Sequence, residues 1–156
     1  MKWDAWLLNF GNQHRAVVGW RELLHLIPEA KFQSIPQTPK HCGRVLNWQN
    51  RIIPIWDVGA WFTTGEVHDP GNTGVLVGYQ LQNGAAPQIG ALMLVEPPLR
   101  IAISAEQECP APAELSPWRE IASAFLRHEE ETLAVLNVRH MFSGQVHPRK
   151  RIRVVC

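Results

Sequence analysis

Residues 44–58 read R-V-L-N-W-Q-N-R-I-I-P-I-W-D-V and carry the clearest structural signal in the chain. Two short apolar segments, Val45–Trp48 and Arg51–Trp56, lie on either side of the pair Gln49-Asn50. Asparagine tolerates the left-handed backbone of tight two-residue turns, so the stretch predicts an antiparallel hairpin. Asp57 follows the second segment. We expect its carboxylate to cap a short helical turn by accepting backbone N–H bonds.

Short segments of the same kind recur along the chain. Glycine and proline, 11 and 12 residues, are scattered in small groups between apolar runs, a pattern that favours many short strands. Residues 20–27 fit a helical turn and a strand equally well. The prolines Pro36 and Pro39 predict an extended, exposed connection. Further strands are predicted at 6–10, 15–19, 75–81, 89–95, 99–104 and 133–138, with a turn at 139–142.

One helix is predicted in the second half of the chain. Ser116 is a favourable N-cap and Pro117 suits the first helical position, so we expect a helix from Pro117 to about Arg127. The acidic run Glu129–Glu131 follows it. Like charges are unfavourable at the negative end of a helix, so this run is expected to end the helix.

Length and composition exclude several classes of protein. The chain has 156 residues, 46% of them apolar, which suits one compact domain or two small lobes. Its formal net charge of +1 gives no global field that would attract nucleic acid or an anionic membrane. The first apolar run is too short and broken for a signal peptide or a membrane span. Three widely spaced cysteines form no disulfide framework, so we expect a cytoplasmic protein without membrane insertion.

A boundary between two lobes is predicted at 66–74, where D-P-G-N interrupts the apolar pattern. The lobes are placed at approximately 16–65 and 75–130, with the termini completing them and no sequence repeat between them. Together they form a single domain over 1–142, followed by a basic tail over 143–156. Residues expected in the core are Val45, Ile53, Ile55, Val77, Leu92, Leu94, Leu133 and Val135.

The sequence carries no signature of catalysis or of metal binding. Its seven histidines lack metal-site spacing, and its glycines form neither a phosphate-binding loop nor a nucleophile elbow. No cofactor and no enzymatic activity are therefore expected. Cys42, paired with His41 or His25, is the one candidate nucleophile, and an inert thiol is the simpler interpretation. The basic tail lacks stacking aromatics, so nucleic-acid binding is not expected and an exposed or self-pairing strand is preferred.

The stretch 35–58 resembles the CheW-like adaptor domain of bacterial chemotaxis arrays. That family shows an I-x-x-x-P step and then G-V-x-N-x-R-G-x-I-x-P-I-x-D-L. Here Ile35 and Pro39 match the step, and 44–58 matches at the Val, Asn, Ile, Pro, Ile and Asp positions. The segments 104–112 and 133–142 also look like family elements. The resemblance therefore covers about residues 6–142.

The resemblance implies a mainly β fold of two SH3-like five-stranded β-barrel lobes with short helices. It also implies a non-catalytic adaptor that couples a chemoreceptor to a histidine kinase in chemotaxis or pilus-based motility. The expected partners are a CheA-type kinase regulatory domain and a receptor's helical tip, which a groove near the first lobe would hold. Positions carried over to this groove are His25, Leu26, Arg44, Gln49 and Asn50. Positions that would support the groove or face the kinase are Asn47, Ile53, Pro54, Ile55, Trp56 and Asp57.

Several groove positions depart from the family pattern. Gln49 replaces the family's arginine, and His25 stands where the family has that arginine's acidic partner. Arg44 and Asn50 each replace a glycine. Because both members of an ion pair are changed, we expect altered affinity for a generic receptor tip. The alternatives are a divergent CheW-like module with a different signalling partner and, third, a small cysteine-dependent enzyme.

Overall fold

The structure, a computed structural model, describes residues 1–63 and 71–146. Within these residues it contains twelve strands and two short α-helices. The strands are β1 (Lys2–Asn9), β2 (Arg15–Gly19), β3 (Leu23–Ile27), β4 (Phe32–Ser34), β5 (Arg44–Trp48), β6 (Arg51–Trp56), β7 (Thr73–Tyr79), β8 (Gln88–Leu94), β9 (Leu99–Ser104), β10 (Glu108–Cys109), β11 (Ala122–His128) and β12 (Glu131–Leu136). The helices are α1 (Val58–Phe62) and α2 (Val138–Met141), and 3-10 segments occupy Lys40–Cys42, Ala105–Gln107 and Ala113–Glu120.

The strands form two curled, barrel-like sheets of six strands each. The central barrel has the strand order β3-β7-β8-β6-β5-β4, and the terminal barrel has the order β9-β1-β2-β12-β11-β10. Most neighbours are antiparallel, but each barrel contains one parallel pair, β6 with β8 and β12 with β2. The predicted mainly β architecture of two barrels is confirmed, with six strands in each sheet rather than five.

The two barrels repeat one topology with a constant offset along part of the chain. The β5–β6 hairpin turns at Gln49-Asn50 and the β11–β12 hairpin turns at Glu129-Glu130, all with positive φ. Each hairpin is followed by a capping residue and a short helix, α1 or α2. Residues 41–62 therefore correspond to residues 121–142, an internal structural repeat in which most side chains differ.

Three apolar clusters hold this arrangement together, and apolar burial is the main favourable term in folding. The interior of the central barrel contains Ala30, Leu46, Ile53, Ile55, Leu76, Ala91 and Met93. The interior of the terminal barrel contains Ala5, Leu7, Val17, Ile101, Ile103, Leu126 and Leu133. The largest cluster joins strands of both barrels to both helices and includes Leu8, Phe10, Val18, Trp56, Trp61, Val75, Leu92, Trp118, Phe125 and Met141.

The expected core is confirmed at six of its eight positions, since Ile53, Ile55, Val77, Leu92, Leu94 and Leu133 are buried. Val45 and Val135 are only half-buried. Successive residues of a strand point to opposite faces, and Leu46 takes the inward position on β5. Val45 therefore lies on the outer face, opposite Pro54 of β6.

The predicted helix from Pro117 to about Arg127 is wrong. A 3-10 segment ends at Glu120, and the chain then forms β11, which pairs with β12. The run Glu129–Glu131 does not end a helix, because Glu129 and Glu130 form the hairpin turn and Glu131 begins β12. Residues 20–27, left open between helix and strand, contain β3.

The sheets divide the chain differently from the lobes expected at 16–65 and 75–130. Strands β7 and β8 complete the central barrel, whereas β1 and β2 pair with strands from the second half. Most of the predicted loop at 66–74 and most of the tail at 143–156 lie outside the described residues.

Candidate protein-interaction surface

The tip of the β5–β6 hairpin is exposed and tightly turned. Gln49 and Asn50 have φ values of 49° and 62°, and Trp48 pairs with Arg51 on either side of them. Two successive left-handed residues match the twist of the flanking strands, which is why this turn joins them so closely. The side chains of both turn residues therefore project into solvent at the end of the central barrel.

Strand β3 lies beside this hairpin tip. The imidazole of His25 and the indole of Trp48 have ring centroids 5.4 Å apart with an interplanar angle of 46°. His25 is exposed on β3, one of the two edge strands of the central sheet, and Trp48 directly precedes Gln49. The structure thus brings together His25 and the turn, positions far apart in sequence.

Three consecutive side chains of β3 are exposed: Leu24, His25 and Leu26. The register between β3 and β7 shifts between Leu23 and His25, and this irregularity breaks the usual alternation of buried and exposed residues. Leu24 is 52% exposed, which is high for a leucine on a strand. We call these three residues together with Gln49 and Asn50 the edge surface. Leu24 was not predicted as a surface residue from the sequence. A regular strand alternates between its two faces, so the sequence pattern does not predict three exposed residues in a row.

Arg44 does not belong to the edge surface. It begins β5, four residues before Trp48, or about 13 Å along an extended strand. Its Nη1 lies 3.3 Å from Oδ2 of Asp57, and its guanidinium carbon lies 4.9 Å from the ring centre of Phe32. Both contacts hold the guanidinium against its own barrel. The five residues expected in one groove therefore lie in two places. Four of them lie at the hairpin tip and on β3, and Arg44 lies beside Asp57.

Asp57 links the hairpin to α1. Its side chain is almost completely buried, and Oδ1 accepts the backbone N–H of Ala60 at 3.0 Å. Its own backbone N–H donates to the carbonyl of His41 at 2.7 Å. The predicted capping role is confirmed, and the same carboxylate also pairs with Arg44.

The remaining positions of the hairpin divide into an inner and an outer face. Ile53 and Ile55 are buried in the interior of the central barrel, and Trp56 is buried on the other face, in the cluster that joins the two barrels. Asn47 and Pro54 are exposed, together with Ile52, which is 74% exposed. The exposure of Ile52 follows from the alternation in the run 51–56, because a residue next to the inward-pointing Ile53 points outward.

Neither a metal-binding cluster nor an activated Cys42 thiol is found in the described residues. Among residues 1–63 and 71–146, no three His, Cys, Asp or Glu side chains are placed to hold a metal ion. Cys42 is half-buried as a free thiol, and burial raises its pKa, which disfavours the reactive thiolate. In this part of the chain no helix has the length and apolar character needed to cross a membrane.

A two-barrel β fold with an exposed strand edge and a projecting hairpin is typical of protein-interaction modules. The family model for the CheW-like domain matches residues 11–146, a span that includes strands of both barrels. The chain belongs to the CheW-like domain family.

A solved structure shares the fold. The crystal structure of the scaffolding protein TtCheW from Thermoanaerobacter tengcongensis aligns with a TM-score of 0.66 and 14% sequence identity. The alignment covers 97% of this chain and 99% of that one. No curated protein sequence gave a significant match.

Proposed function

We propose that this protein is a non-catalytic adaptor that couples a chemoreceptor-like helical tip to the regulatory domain of a CheA-type histidine kinase. The family match over residues 11–146 carries the proposal, and it supports a scaffold role in chemotaxis. We also propose that the protein is cytoplasmic and that its pathway controls flagellar or pilus-based motility.

The edge surface is the proposed receptor contact. Leu24 and Leu26 offer apolar side chains for the apolar face of a helix, and apolar anchors supply most of the energy in such contacts. His25 and Gln49 belong to the same edge surface and offer polar contacts without a fixed charge pair. Arg44 is outside this contact, because Asp57 and Phe32 already hold its guanidinium.

The outer face of the β5–β6 hairpin is proposed to contact the kinase. Asn47, Ile52 and Pro54 are its exposed side chains, and Ile53, Ile55 and Trp56 fix its shape from the core. Exposed Ile52 is the proposed apolar anchor of this contact.

Two titrations test the proposal. The purified chain is titrated calorimetrically with a CheA-type regulatory domain and, separately, with a chemoreceptor tip fragment. We expect binding to the kinase domain that Ile52→Ser weakens at least fivefold, and weak receptor binding that Leu24→Ser abolishes. No binding to the kinase domain overturns the adaptor proposal.

A divergent module with a different signalling partner is the second candidate. It is favoured by the replacement of the family's ion pair with His25 and Gln49. Tight binding to the kinase domain without any binding to receptor tips identifies this candidate.

A further inference from the structure

The internal repeat creates two equivalent positions, one beside α1 and one beside α2, and their surroundings differ. Phe62 follows the cap Asp57 by five residues, and Phe142 follows the cap Asn137 by five residues, so the two phenylalanines are equivalent. The ring of Phe62 stacks on His14 at 4.5 Å and lies 4.5 Å from Trp118. Trp118 comes from the 3-10 segment Ala113–Glu120 of the terminal barrel. An indole from the chain itself therefore packs against Phe62.

The surroundings of Phe142 differ. Its ring stacks on Tyr79 at 5.0 Å with an interplanar angle of 13°. In the central barrel the segment that precedes β5, residues 33–43, contains the 3-10 turn Lys40–Cys42 and no tryptophan. A cavity of about 350 Å³ lies between this segment and Phe142, a volume within the range of small-ligand pockets.

The walls of this cavity are mainly apolar and come from both barrels. Aromatic rings of Trp56, Tyr79 and Phe142 line it together with the side chain of Met141, and thioethers make favourable contacts with aromatic rings. The other lining residues are Pro39, His41, Cys42, Pro54, Ile55, Gly144 and Val146. Such walls suit a flat aromatic ligand.

The polar groups of the cavity are uncharged at neutral pH. Burial lowers the pKa of His41, although the nearby Asp57 carboxylate acts in the opposite direction, so the imidazole is neutral. Burial raises the pKa of the Cys42 thiol and of the Tyr79 hydroxyl. A neutral imidazole offers one donor or acceptor nitrogen to a ligand but no charge, so the cavity favours a neutral ligand.

We propose that this cavity binds a neutral aromatic ring of the indole class, which would occupy beside Phe142 the place that Trp118 occupies beside Phe62. The ring could belong to a free small molecule or to a tryptophan side chain, since both present the same chemistry. The proposal does not rest on the receptor contact, because the cavity and the edge surface share no residue, whereas Pro54, Ile55 and Trp56 of the hairpin proposed to contact the kinase also line the cavity.

The test uses the full chain with indole, N-acetyltryptophanamide and N-acetylleucinamide as probes. Alkylation of Cys42 by iodoacetamide is followed by peptide mass spectrometry, with Cys109 as the internal control. We expect saturating indole or N-acetyltryptophanamide to slow alkylation of Cys42 at least threefold and to leave Cys109 unchanged. Protection by the tryptophan amide but not by indole assigns the ring to a protein side chain. No protection by either aromatic probe, or equal protection by the leucine amide, overturns the proposal.

A filled variant gives an independent check. Val146→Trp places an indole at the wall of the cavity and is expected to abolish the protection, whereas Val95→Trp, at an exposed valine outside the cavity, keeps it. If Val146→Trp does not fold, backbone NMR of the wild-type chain decides. Indole must then shift the resonances of His41, Met141 and Phe142, and shifts confined to other residues overturn the proposal.

Discussion

Asp57 and Asn137 occupy equivalent positions, 80 residues apart, at the starts of α1 and α2. Each side-chain oxygen accepts the backbone N–H three residues later, at 3.0 Å from Ala60 and 3.2 Å from His140. Each backbone N–H donates at 2.7 Å to a carbonyl, that of His41 or Ile121. The two caps differ in one respect, because Asp57 carries a charge and pairs with Arg44.

This difference predicts unequal costs of removing the two caps. Asn137→Ala is expected to lower the free energy of unfolding by about 1 kcal/mol, the usual worth of a cap. Asp57→Ala should cost about 2–3 kcal/mol, because it also leaves a partly buried arginine without its carboxylate. Asp57→Asn keeps the cap and is the matched control, with an intermediate loss. Urea unfolding followed by circular dichroism measures all three, and equal losses for the two alanine variants would contradict the prediction.

The hairpin turn at Glu129-Glu130 is a site where stability can be gained. Both residues have positive φ, at 46° and 67°, a conformation that costs a residue with a side chain about 1 kcal/mol relative to glycine. We expect Glu130→Gly to raise the free energy of unfolding by about 0.5–1 kcal/mol. Glu29→Gly is the control, because Glu29 is exposed and has negative φ, and it should give no gain. A loss of stability in Glu130→Gly would show that the turn is not strained.

The tryptophans of the shared core are expected to be costly to remove. Trp56 and Trp61 are both buried, with ring centroids 5.6 Å apart, between the two barrels. Trp56→Ala or Trp61→Ala should each cost about 3–5 kcal/mol. Trp3→Ala is the matched control, because Trp3 is half exposed on β1 and should cost less than about 1 kcal/mol. A small loss at Trp61 would instead indicate a ring that serves an interface.

Local patterns predicted the hairpins well and the wider connectivity poorly. The strands around Gln49-Asn50 and the cap Asp57 follow from turn chemistry and from an alternating apolar pattern, which act within a few residues. The helix predicted after Ser116-Pro117 was wrong, because this part of the chain forms a strand that pairs with β12. The pairing buries Phe125 and Leu126 and outweighs the local helix signal.

The membership of the barrels and the candidate sites depend on contacts between distant residues. The parallel pair β6–β8 places β7 and β8 in the central barrel, and no local pattern encodes that pairing. The contact of His25 with Trp48 requires β3 to lie against the hairpin tip, and the Arg44–Asp57 pair requires the register of β5 with β6. The exposure of Leu24 depends on an irregularity between β3 and β7, which only the paired strand reveals.

Burial of His41 predicts a pH dependence of stability. Its pKa is lowered in the folded protein, chiefly by burial, so below pH 6.5 the unfolded chain binds a proton that the folded chain resists. Stability should therefore fall as the pH drops through this value, because the unfolded state binds more protons there. His41→Gln should flatten the dependence between pH 7.5 and 5, measured by urea unfolding. An unchanged slope in His41→Gln would contradict the assignment.

Because His25 contacts Trp48, the residue before the turn, we expect that the family's ion pair can be rebuilt at positions 25 and 49. Introducing His25→Glu together with Gln49→Arg places opposite charges within the edge surface, at the contact partner of Trp48 and at the residue that follows Trp48. We expect this double variant to bind a chemoreceptor tip fragment more tightly by about 1 kcal/mol or more, the scale of a well-placed interface contact. Calorimetric titration against the same fragment measures the change, and binding to the kinase regulatory domain should stay as in the wild type.

Arg44→Gly is the control that distinguishes the edge surface from the Arg44–Asp57 pair. It restores the family's glycine but lies at the far end of β5, away from His25, and it removes the contacts with Asp57 and Phe32. It should therefore lower the free energy of unfolding without strengthening receptor binding. If Arg44→Gly alone tightens binding while the double variant does not, the receptor contact lies near Asp57 and the edge surface is wrongly assigned.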